Sequence, residues 1–248
     1  MLQHLMSERI AKFLGRAGVC SRRQAEQFIA EGRVKVDGLL LSTPATLVDE
    51  TSKIEVDDKP IAQPLNTRVW CYYKPVGYLT THYDPQGRLT VFEDLLAHNL
   101  PRVISVGRLD LNSEGLLLLT NDGAFSRYAE LPKTGWARCY KVRVYGRLDI
   151  PALHALKNGI TIEDIHYDRI DVKVLGQGHS MAQMNNWLLI TLFEGKNREI
   201  RKVMNYLGLR VNRLIRKSYG PFELGNLEPH QILEVPSKQI NQAFLSSN

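Results

Sequence analysis

The stretch from Val106 to Gly123 gathers side chains that could do acid–base or nucleophilic chemistry. Between Gly107 and Gly115 lie the side chains of Arg108, Asp110, Asn112 and Glu114. An ionised carboxylate such as Asp110 can attack an electrophilic carbon or remove a proton, and the sequence leaves both roles open. The pattern therefore predicts a catalytic carboxylate on a loop.

Buried strands are predicted on both sides of this loop. Ile104 and Val106 alternate with polar neighbours, and the apolar run from Leu116 to Leu119 has the length of a buried strand. Asn121-Asp122-Gly123 is typical of a turn. We therefore expect a rigid scaffold that presents the Asp110 carboxylate from a short connection.

The tetrapeptide Gly-Arg-Leu-Asp that contains Asp110 occurs a second time, at Gly146–Asp149. There it precedes Ile150-Pro151, and a proline in the first turn after an aspartate is typical of a helix start. The second copy is predicted to be structural, with Asp149 as the N-cap. Asp110 is therefore the catalytic candidate.

A second polar stretch runs from Glu194 to Gly208, where a helix capped by Asn197 is predicted. Apolar side chains recur at helical spacing on one face of this helix and polar side chains on another. Arg198 and Arg201 share the polar face. Between Lys196 and Lys217 there are eight basic residues and one acidic residue, a local charge that exceeds the net charge of +6 for the whole chain. Such a segment favours a polyanionic partner.

The composition is that of a soluble globular protein with one or two domains: 248 residues, 44% hydrophobic and 23% charged. The three cysteines, Cys20, Cys71 and Cys139, have no metal-ligand spacing, so we expect no metal and a reducing compartment. No apolar run approaches the roughly 18–20 residues of a membrane span. Residues Met1–Met6 lack the pattern of a secretory signal, and the expected location is the cytoplasm.

The N-terminal segment predicts two helices followed by a hairpin. Residues 8–18 show helical apolar spacing, and Ser21 and Gln24 form a capping box for the second helix. Asp37-Gly38 is a tight turn. Between Arg9 and Lys35 there are seven basic residues and two acidic ones, which is suited to phosphate contacts.

The central stretch resembles the catalytic loop of the RsuA/RluA-type pseudouridine synthases, in which Gly-Arg-Leu-Asp leads into a Ser/Thr-x-Gly-Leu-Leu run and then Thr-x-Asp-Gly. Lys74-Pro75-Val76-Gly77 is similar to the first motif of that family. The run from Glu194 to Arg201 is similar to the third, and its Asn-Arg-Glu form resembles the RluB branch. Residues 9–14, 18–25 and 32–38 resemble an S4 RNA-binding domain.

The resemblance implies an α+β fold with two domains. An S4 domain is expected at residues 7–60 and a linker at 61–67. The catalytic domain is expected at 68–240, as a mixed, mainly antiparallel sheet flanked by helices.

The resemblance also implies roles for individual residues. Asp110 would be the catalytic carboxylate, Tyr140 would stack on the target uracil, and Arg201 would pair with Asp110 and keep it charged. The remaining candidates are predicted RNA contacts: Arg9, Lys12, Arg22, Arg23, Arg33, Lys35, Lys74, Arg108, Lys196 and Arg198.

The implied activity is isomerisation of one uridine in ribosomal RNA, expected to be 23S rRNA or a large-subunit assembly intermediate, by a monomer without a cofactor. A 16S rRNA target and a non-catalytic S4 RNA-binding protein are the alternatives. An S4-containing RNA methyltransferase would need a glycine-rich turn opening a helix. Gly176-Gln177-Gly178 is not followed by a predicted helix.

Overall fold

The computed structural model describes residues 7–176 and 184–245, and two compact units are distinguished within it. The first unit runs to Thr67 and takes in two short later segments, Pro101–Ile104 and Asn121–Gly123. The remainder, from Arg68 onward, forms the second unit. Most of the glycine-flanked loop at 176–180 lies outside the described residues.

The first unit consists of two helices and short strands. Its elements are β1 (Glu8–Arg9), α1 (Ile10–Arg16), α2 (Arg22–Ala30), β2 (Val34–Val36), β3 (Leu39–Leu40), β4 (Leu47–Val48), β5 (Ile54–Val56) and β6 (Lys59–Pro60). The predicted capping box forms, because Gln24 N donates to Ser21 Oγ and Ser21 N donates to Gln24 Oε1. Strands β3, β2, β5 and β6 form one antiparallel sheet in that order.

The second unit is built around a large sheet. Its elements are β7 (Val69–Lys74), α3 (Val91–Asp94), β8 (Ile104–Val106), β9 (Glu114–Thr120), α4 (Gly123–Glu130), β10 (Arg138–Tyr145), α5 (Ile150–Ala155), β11 (Ile160–Ile162), β12 (Ile165–Tyr167), β13 (Ile170–Leu175), β14 (Asn185–Leu192), α6 (Glu199–Tyr206), β15 (Arg210–Tyr219), β16 (Phe222–Glu223), β17 (Ile232–Glu234) and α7 (Ser237–Leu245). Short 3-10 turns lie at Leu95–His98, Pro132–Thr134 and Leu156–Asn158.

Within the described part of the chain, the large sheet has nine strands, with the order β13-β14-β10-β15-β9-β7-β17 and with β16 and β8 paired to β15 and β9. The pairings along that order are antiparallel except for β15 with β9, where Ile215 and Arg216 face Glu114 and Gly115. The predicted mixed, mainly antiparallel sheet is thereby confirmed. All seven residues of β9 are buried, as the apolar run predicts.

Two boundaries differ from the sequence predictions. Helix α6 begins one residue later than predicted, because Arg198, with φ of 52°, stands at the N-cap position that Asn197 was expected to fill. The catalytic unit was predicted to end at residue 240, but α7 continues to Leu245. Ile240 and Ala243 belong to the core that Phe125 and Phe222 also form.

Among residues 7–176 and 184–245, no helix is long and apolar enough to cross a membrane.

Candidate active site

A cavity of about 810 Å³ in the second unit brings the predicted site residues together. Its lining includes the three predicted catalytic residues and three predicted RNA contacts: Asp110, Tyr140, Arg201, Arg108, Lys196 and Arg198. Six cationic side chains and four acidic ones line it, so the cavity is net positive. Its size and charge suit a nucleotide with its phosphate.

Lys74, the last residue of β7, fixes the backbone of the loop that carries Asp110. Its side chain is fully buried, and Nζ donates to the carbonyl oxygens of Pro75 (2.9 Å), Asp110 (3.2 Å) and Ser113 (2.8 Å). Burial lowers its pKa to about 8, against the attraction of Asp110 and Glu114, so the ammonium remains protonated at neutral pH. The prediction that Lys74 contacts an RNA phosphate is wrong, because no solvent reaches it.

Further hydrogen bonds hold the loop from the segment after β7. Gly77 N donates to Leu111 O at 2.9 Å, and Thr80 Oγ1 donates to Leu109 O at 2.9 Å. The Lys-Pro-x-Gly motif and the residues after it therefore act on the loop backbone. This leaves the Asp110 side chain available to a substrate.

The ion-pair partner of Asp110 differs from the one predicted. Arg198 Nη1 lies 3.3 Å from Asp110 Oδ2, and the Asp110 side chain remains 34% exposed. The Arg201 guanidinium instead donates to Asn112 O at 2.6 Å and to Val211 O at 3.0 Å. Burial and the neighbouring Arg198 lower the pKa of Arg201, and the charge of Asp110 partly opposes this shift. Arg201 thus holds the loop backbone while its charge acts on Asp110 from nearby.

Glu114, where the loop enters β9, is buried and makes a separate network with Tyr73 and Arg213. Arg213 Nε and Nη2 donate to its two carboxylate oxygens at 2.6 and 3.1 Å, and the Tyr73 hydroxyl donates to Oε2 at 2.9 Å. Burial alone would raise the pKa of Glu114, but these hydrogen bonds outweigh it and the pKa is lowered. Glu114 is therefore a satisfied structural anion that joins β7, β9 and β15.

Gly115 is required where the loop joins the sheet. Its φ is +100°, and a Cβ there would lie 2.5 Å from Arg216 O and 2.8 Å from Arg216 N. The close approach comes from the parallel contact between β9 and β15. A larger residue would push apart the two strands that carry Glu114 and Arg216.

Tyr140 lies on β10 at the cavity wall. Its side chain is largely buried but lines the cavity, opposite Ile190 on β14 and Arg216 on β15. An aromatic ring with one face towards a cavity can stack on a base.

Three buried charged residues at the cavity were missed from the sequence: Arg138, Glu199 and Arg216. Arg216 Nε donates to Leu116 O at 2.7 Å, and Arg138 Nη2 donates to the Tyr219 hydroxyl at 3.0 Å. For the two arginines the available signal was their strand position, since Arg216 lies on the same face of β15 as Leu214, and Arg138 on the same face of β10 as Tyr140.

The predicted RNA contacts of the first unit fall into three groups. Arg33 donates to Asp57 and Glu31, and Lys35 donates to Asp58, so neighbouring acids already pair with these cations. A second set lies around a separate cavity of about 460 Å³, lined among others by Arg9, Lys12 and Arg22. Arg23 is exposed on α2.

Lys196 pairs with Glu194, and Arg108 is exposed at the cavity edge. Over the described ranges of the chain, no group of three or more His, Cys, Asp or Glu side chains is arranged to hold a metal ion.

Comparison with known proteins gives two family matches. The model for RNA pseudouridylate synthase matches residues 68–206, and the model for the S4 domain matches residues 8–54. A Rickettsia felis protein described as an uncharacterized RNA pseudouridine synthase is 51% identical over 231 residues, covering 93% of this chain and 98% of the relative.

A Pasteurella multocida protein named ribosomal large subunit pseudouridine synthase B is 43% identical, over 88% of this chain and 63% of its own length. Its Salmonella typhi namesake is 41% identical, over 88% of this chain and 76% of its own length. A crystal structure of a pseudouridylate synthase matches 95% of this chain and 99% of its own with a TM-score of 0.65 and 22% identity, which shows a shared fold.

Proposed function

The chain belongs to the RNA pseudouridylate synthase family, and from this premise we propose that it converts one uridine of large-subunit (23S) ribosomal RNA to pseudouridine, with Asp110 as the catalytic carboxylate. The observation that carries the proposal is the partly exposed Asp110 carboxylate on a loop whose backbone is fixed, at the edge of a positive cavity. The large-subunit target is supported by relatives that are named for that subunit.

The reaction breaks the bond between ribose C1′ and uracil N1, turns the base, and forms a bond from C1′ to C5. The proton on C5 leaves and N1 gains a proton, so the reaction needs no redox partner and no net hydrolysis. The target nucleotide must leave its helix to reach the cavity, as in other enzymes that act on a base.

Asp110 acts on the ribose in its ionised form, either as the nucleophile at C1′ or as the base at the adjacent carbon. Arg198 is the ion-pair partner of the Asp110 carboxylate, and the guanidinium of Arg201 holds the backbone of its loop at Asn112 O. Tyr140 stacks on the base, and Arg108 and Lys196 contact RNA phosphates at the cavity edge.

We also infer that the protein works in the cytoplasm, where its proposed ribosomal RNA substrate lies, and as a monomer. Gel filtration is expected to give a species near the chain mass of 28.2 kDa. A species of twice that mass would contradict the monomer.

The test maps pseudouridine across both ribosomal RNAs in cells that lack this protein. The cells are complemented with wild type or Asp110→Asn. Loss of one large-subunit pseudouridine, restored by wild type alone, is the expected result. A lost 16S site would retain the chemistry and correct the target. Full restoration by Asp110→Asn, or no change at any position, would favour RNA binding without catalysis.

A further inference from the structure

The half of the large sheet formed by β13, β14, β10 and β15 has two unlike faces. On the face that carries Tyr140, every side chain of β10 and β14 is buried, and Tyr140 lines the active-site cavity. Successive side chains of a strand point to opposite faces, and the alternate side chains of β10 and β14 are all half-buried or exposed. We call this second side the back face, and its charged and aromatic side chains include Lys141, Arg143, Tyr145, Lys173, Trp187 and Arg210.

Trp187, on β14, lies between two cations of β10. Arg143 is directly opposite it in the β10–β14 pairing, and Lys141 Nζ lies 4.8 Å from the centroid of its ring. Trp187 is half-buried and Arg143 is exposed, so solvent reaches both side chains. The three residues therefore offer one flat aromatic surface and two positive charges within a small area.

The same combination continues on the neighbouring strands. Tyr145 lies opposite Arg210 of β15, whose guanidinium carbon is 5.3 Å from the centroid of the tyrosine ring. Towards the other edge, Lys173 of β13 lies opposite Leu189, and Leu189 lies opposite Lys141. Side chains that face each other across a strand pair are neighbours. Cations and rings thus form one diagonal strip across four strands.

The positive charge of this strip is not neutralised by the protein. The acids nearest to it in the register, Glu114 and Asp171, are bound by Arg213 and Arg169. In the part of the chain that the structure describes, four cations of the strip have no carboxylate oxygen within 4.0 Å: Lys141, Arg143, Lys173 and Arg210. A polyanion complements such a surface, and a polyanion with flat bases complements its rings as well.

Single-stranded RNA has this chemistry, whereas the bases of a duplex are already stacked and paired. We propose that the back face binds an unpaired segment of the RNA substrate, with a base stacked on Trp187 and phosphates at Lys141 and Arg143. The proposal rests on the proposed function, because the ligand is the RNA that carries the target uridine. It adds a second contact surface, on the side of the sheet opposite the active-site cavity.

The contact between Lys141 and Trp187 is compatible with this role. A solvent-accessible cation–π contact is weak, so a phosphate can draw the ammonium group away from the ring. The ring face that Lys141 covers then becomes available to a base. Stacking on an aromatic side chain tolerates any base, so the back face should bind RNA without selecting its sequence.

The test measures binding of a fluorescein-labelled 12-nucleotide uridine strand, which forms no helix, by anisotropy in an Asp110→Asn background that prevents turnover. Lys141→Gln combined with Arg143→Gln should weaken binding. It should also reduce the slope of log K against log salt concentration by about 1.4, or about 0.7 for each phosphate contact. Lys157→Gln combined with Lys238→Gln makes the same charge change at two exposed positions and should leave the slope unchanged.

Trp187→Leu separates stacking from charge. Leucine keeps an apolar side chain at this half-buried position but cannot stack on a base. The variant should bind the uridine strand about tenfold more weakly than the parent protein, with the same salt slope. Its affinity for an RNA duplex of the same length should not change, because a duplex presents no free base.

Footprinting of the lysines tests the same surface without altering it. Acetylation followed by mass spectrometry should show that the uridine strand protects Lys141 and Lys173 and leaves Lys157 reactive. Unprotected Lys141 and Lys173 would overturn the proposal, as would an unchanged affinity and salt slope in the double glutamine variant. Protection that grows with protein concentration in the absence of RNA would also overturn it, since a second copy of the chain would then cover the back face.

These measurements require neither pseudouridine formation nor the natural target. A back face that fails to bind the strand would leave the mapping experiment unaffected. A failure of the mapping experiment would in turn leave these binding results intact, so the two proposals can fail separately.

Discussion

The two copies of Gly-Arg-Leu-Asp occupy sites of different kinds. Asp110 borders the cavity, with its backbone held by Lys74 and its carboxylate 3.3 Å from Arg198. Asp149 caps α5, where its Oδ1 accepts from Ala152 N at 3.0 Å. The same four residues therefore place a partly exposed carboxylate at a cavity in one copy and supply a helix cap in the other.

The difference comes from what surrounds each tetrapeptide. The first is followed by Leu111–Ser113 and then by buried β9, whereas the second is followed by Ile150-Pro151 and α5. Gly146, in the second copy, packs closely against the chain at Gly208, because a Cβ at this position would lie 2.9 Å from Gly208 O. The role of such a short motif is thus set by the secondary-structure elements around it.

The largest expected effect comes from the same substitution made in both copies. Asp110→Asn should lower the rate of pseudouridine formation by about 10⁴-fold or more, because the amide can neither attack nor accept a proton. Asp149→Asn should leave the rate unchanged, since asparagine is an equally good N-cap. Tritium release from RNA labelled at uridine C5 measures both, and equal losses would show that the copies are not functionally distinct.

The next prediction concerns the hydrogen bonds from Lys74 to loop carbonyls, which only the first copy has. Lys74→Met removes three hydrogen bonds to loop carbonyls, so the free energy of unfolding should fall by about 3 kcal/mol. The rate should fall as well, because the loop loses its fixed geometry. Urea denaturation measures the first effect. Lys157→Met, on an exposed surface, is the control and should change stability by less than about 0.5 kcal/mol.

The free energy of unfolding should also depend on pH through a group that lines the cavity beside the first copy. The pKa of Glu199, in its cavity, is raised from 4.5 to about 7, so folding favours the protonated form. The free energy of unfolding should therefore fall as pH rises from about 4.5 to 7, by up to about 3 kcal/mol. Glu199→Gln should remove this decline. Denaturation midpoints at pH 4.5 and 8 provide the measurement. The same change in midpoint for the variant and the wild type would contradict the assignment.

The smallest effect separates the two aspartates by stability. Asp149→Ala should lower the free energy of unfolding by about 1 kcal/mol, the usual cost of losing an N-cap. Asp110→Ala should lower it by less, since its carboxylate is partly exposed and makes one ion pair of 3.3 Å. A larger loss for Asp110→Ala in thermal denaturation would mean that the first copy is also structural.

The sequence predicted the elements whose signals are local. The capping box at Ser21, the cap at Asp149 and the buried run of β9 depend on neighbouring residues, and each formed as expected. The family motifs also indicated Asp110, Tyr140 and Arg201, which the cavity brings together. Their catalytic roles remain predictions.

What the sequence did not reveal depends on distant pairings. Nothing local shows that Lys74 is buried under a loop 36 residues away, or that Arg198 reaches Asp110 across 88 residues. Arg216 and Glu199 likewise become buried only through the β-strand register and the start of α6. A charged side chain in a basic stretch resembles a solvated one until those pairings are known.

The parallel pairing of β9 with β15 has a consequence for synthesis. Arg216 binds Leu116 across 100 residues of chain, so the cavity cannot be completed until the ribosome has released β15. Contacts of such long sequence separation also slow folding, because the loop between them must close first. The nascent chain should therefore contain Asp110 early and complete the cavity late, once β15 has been made.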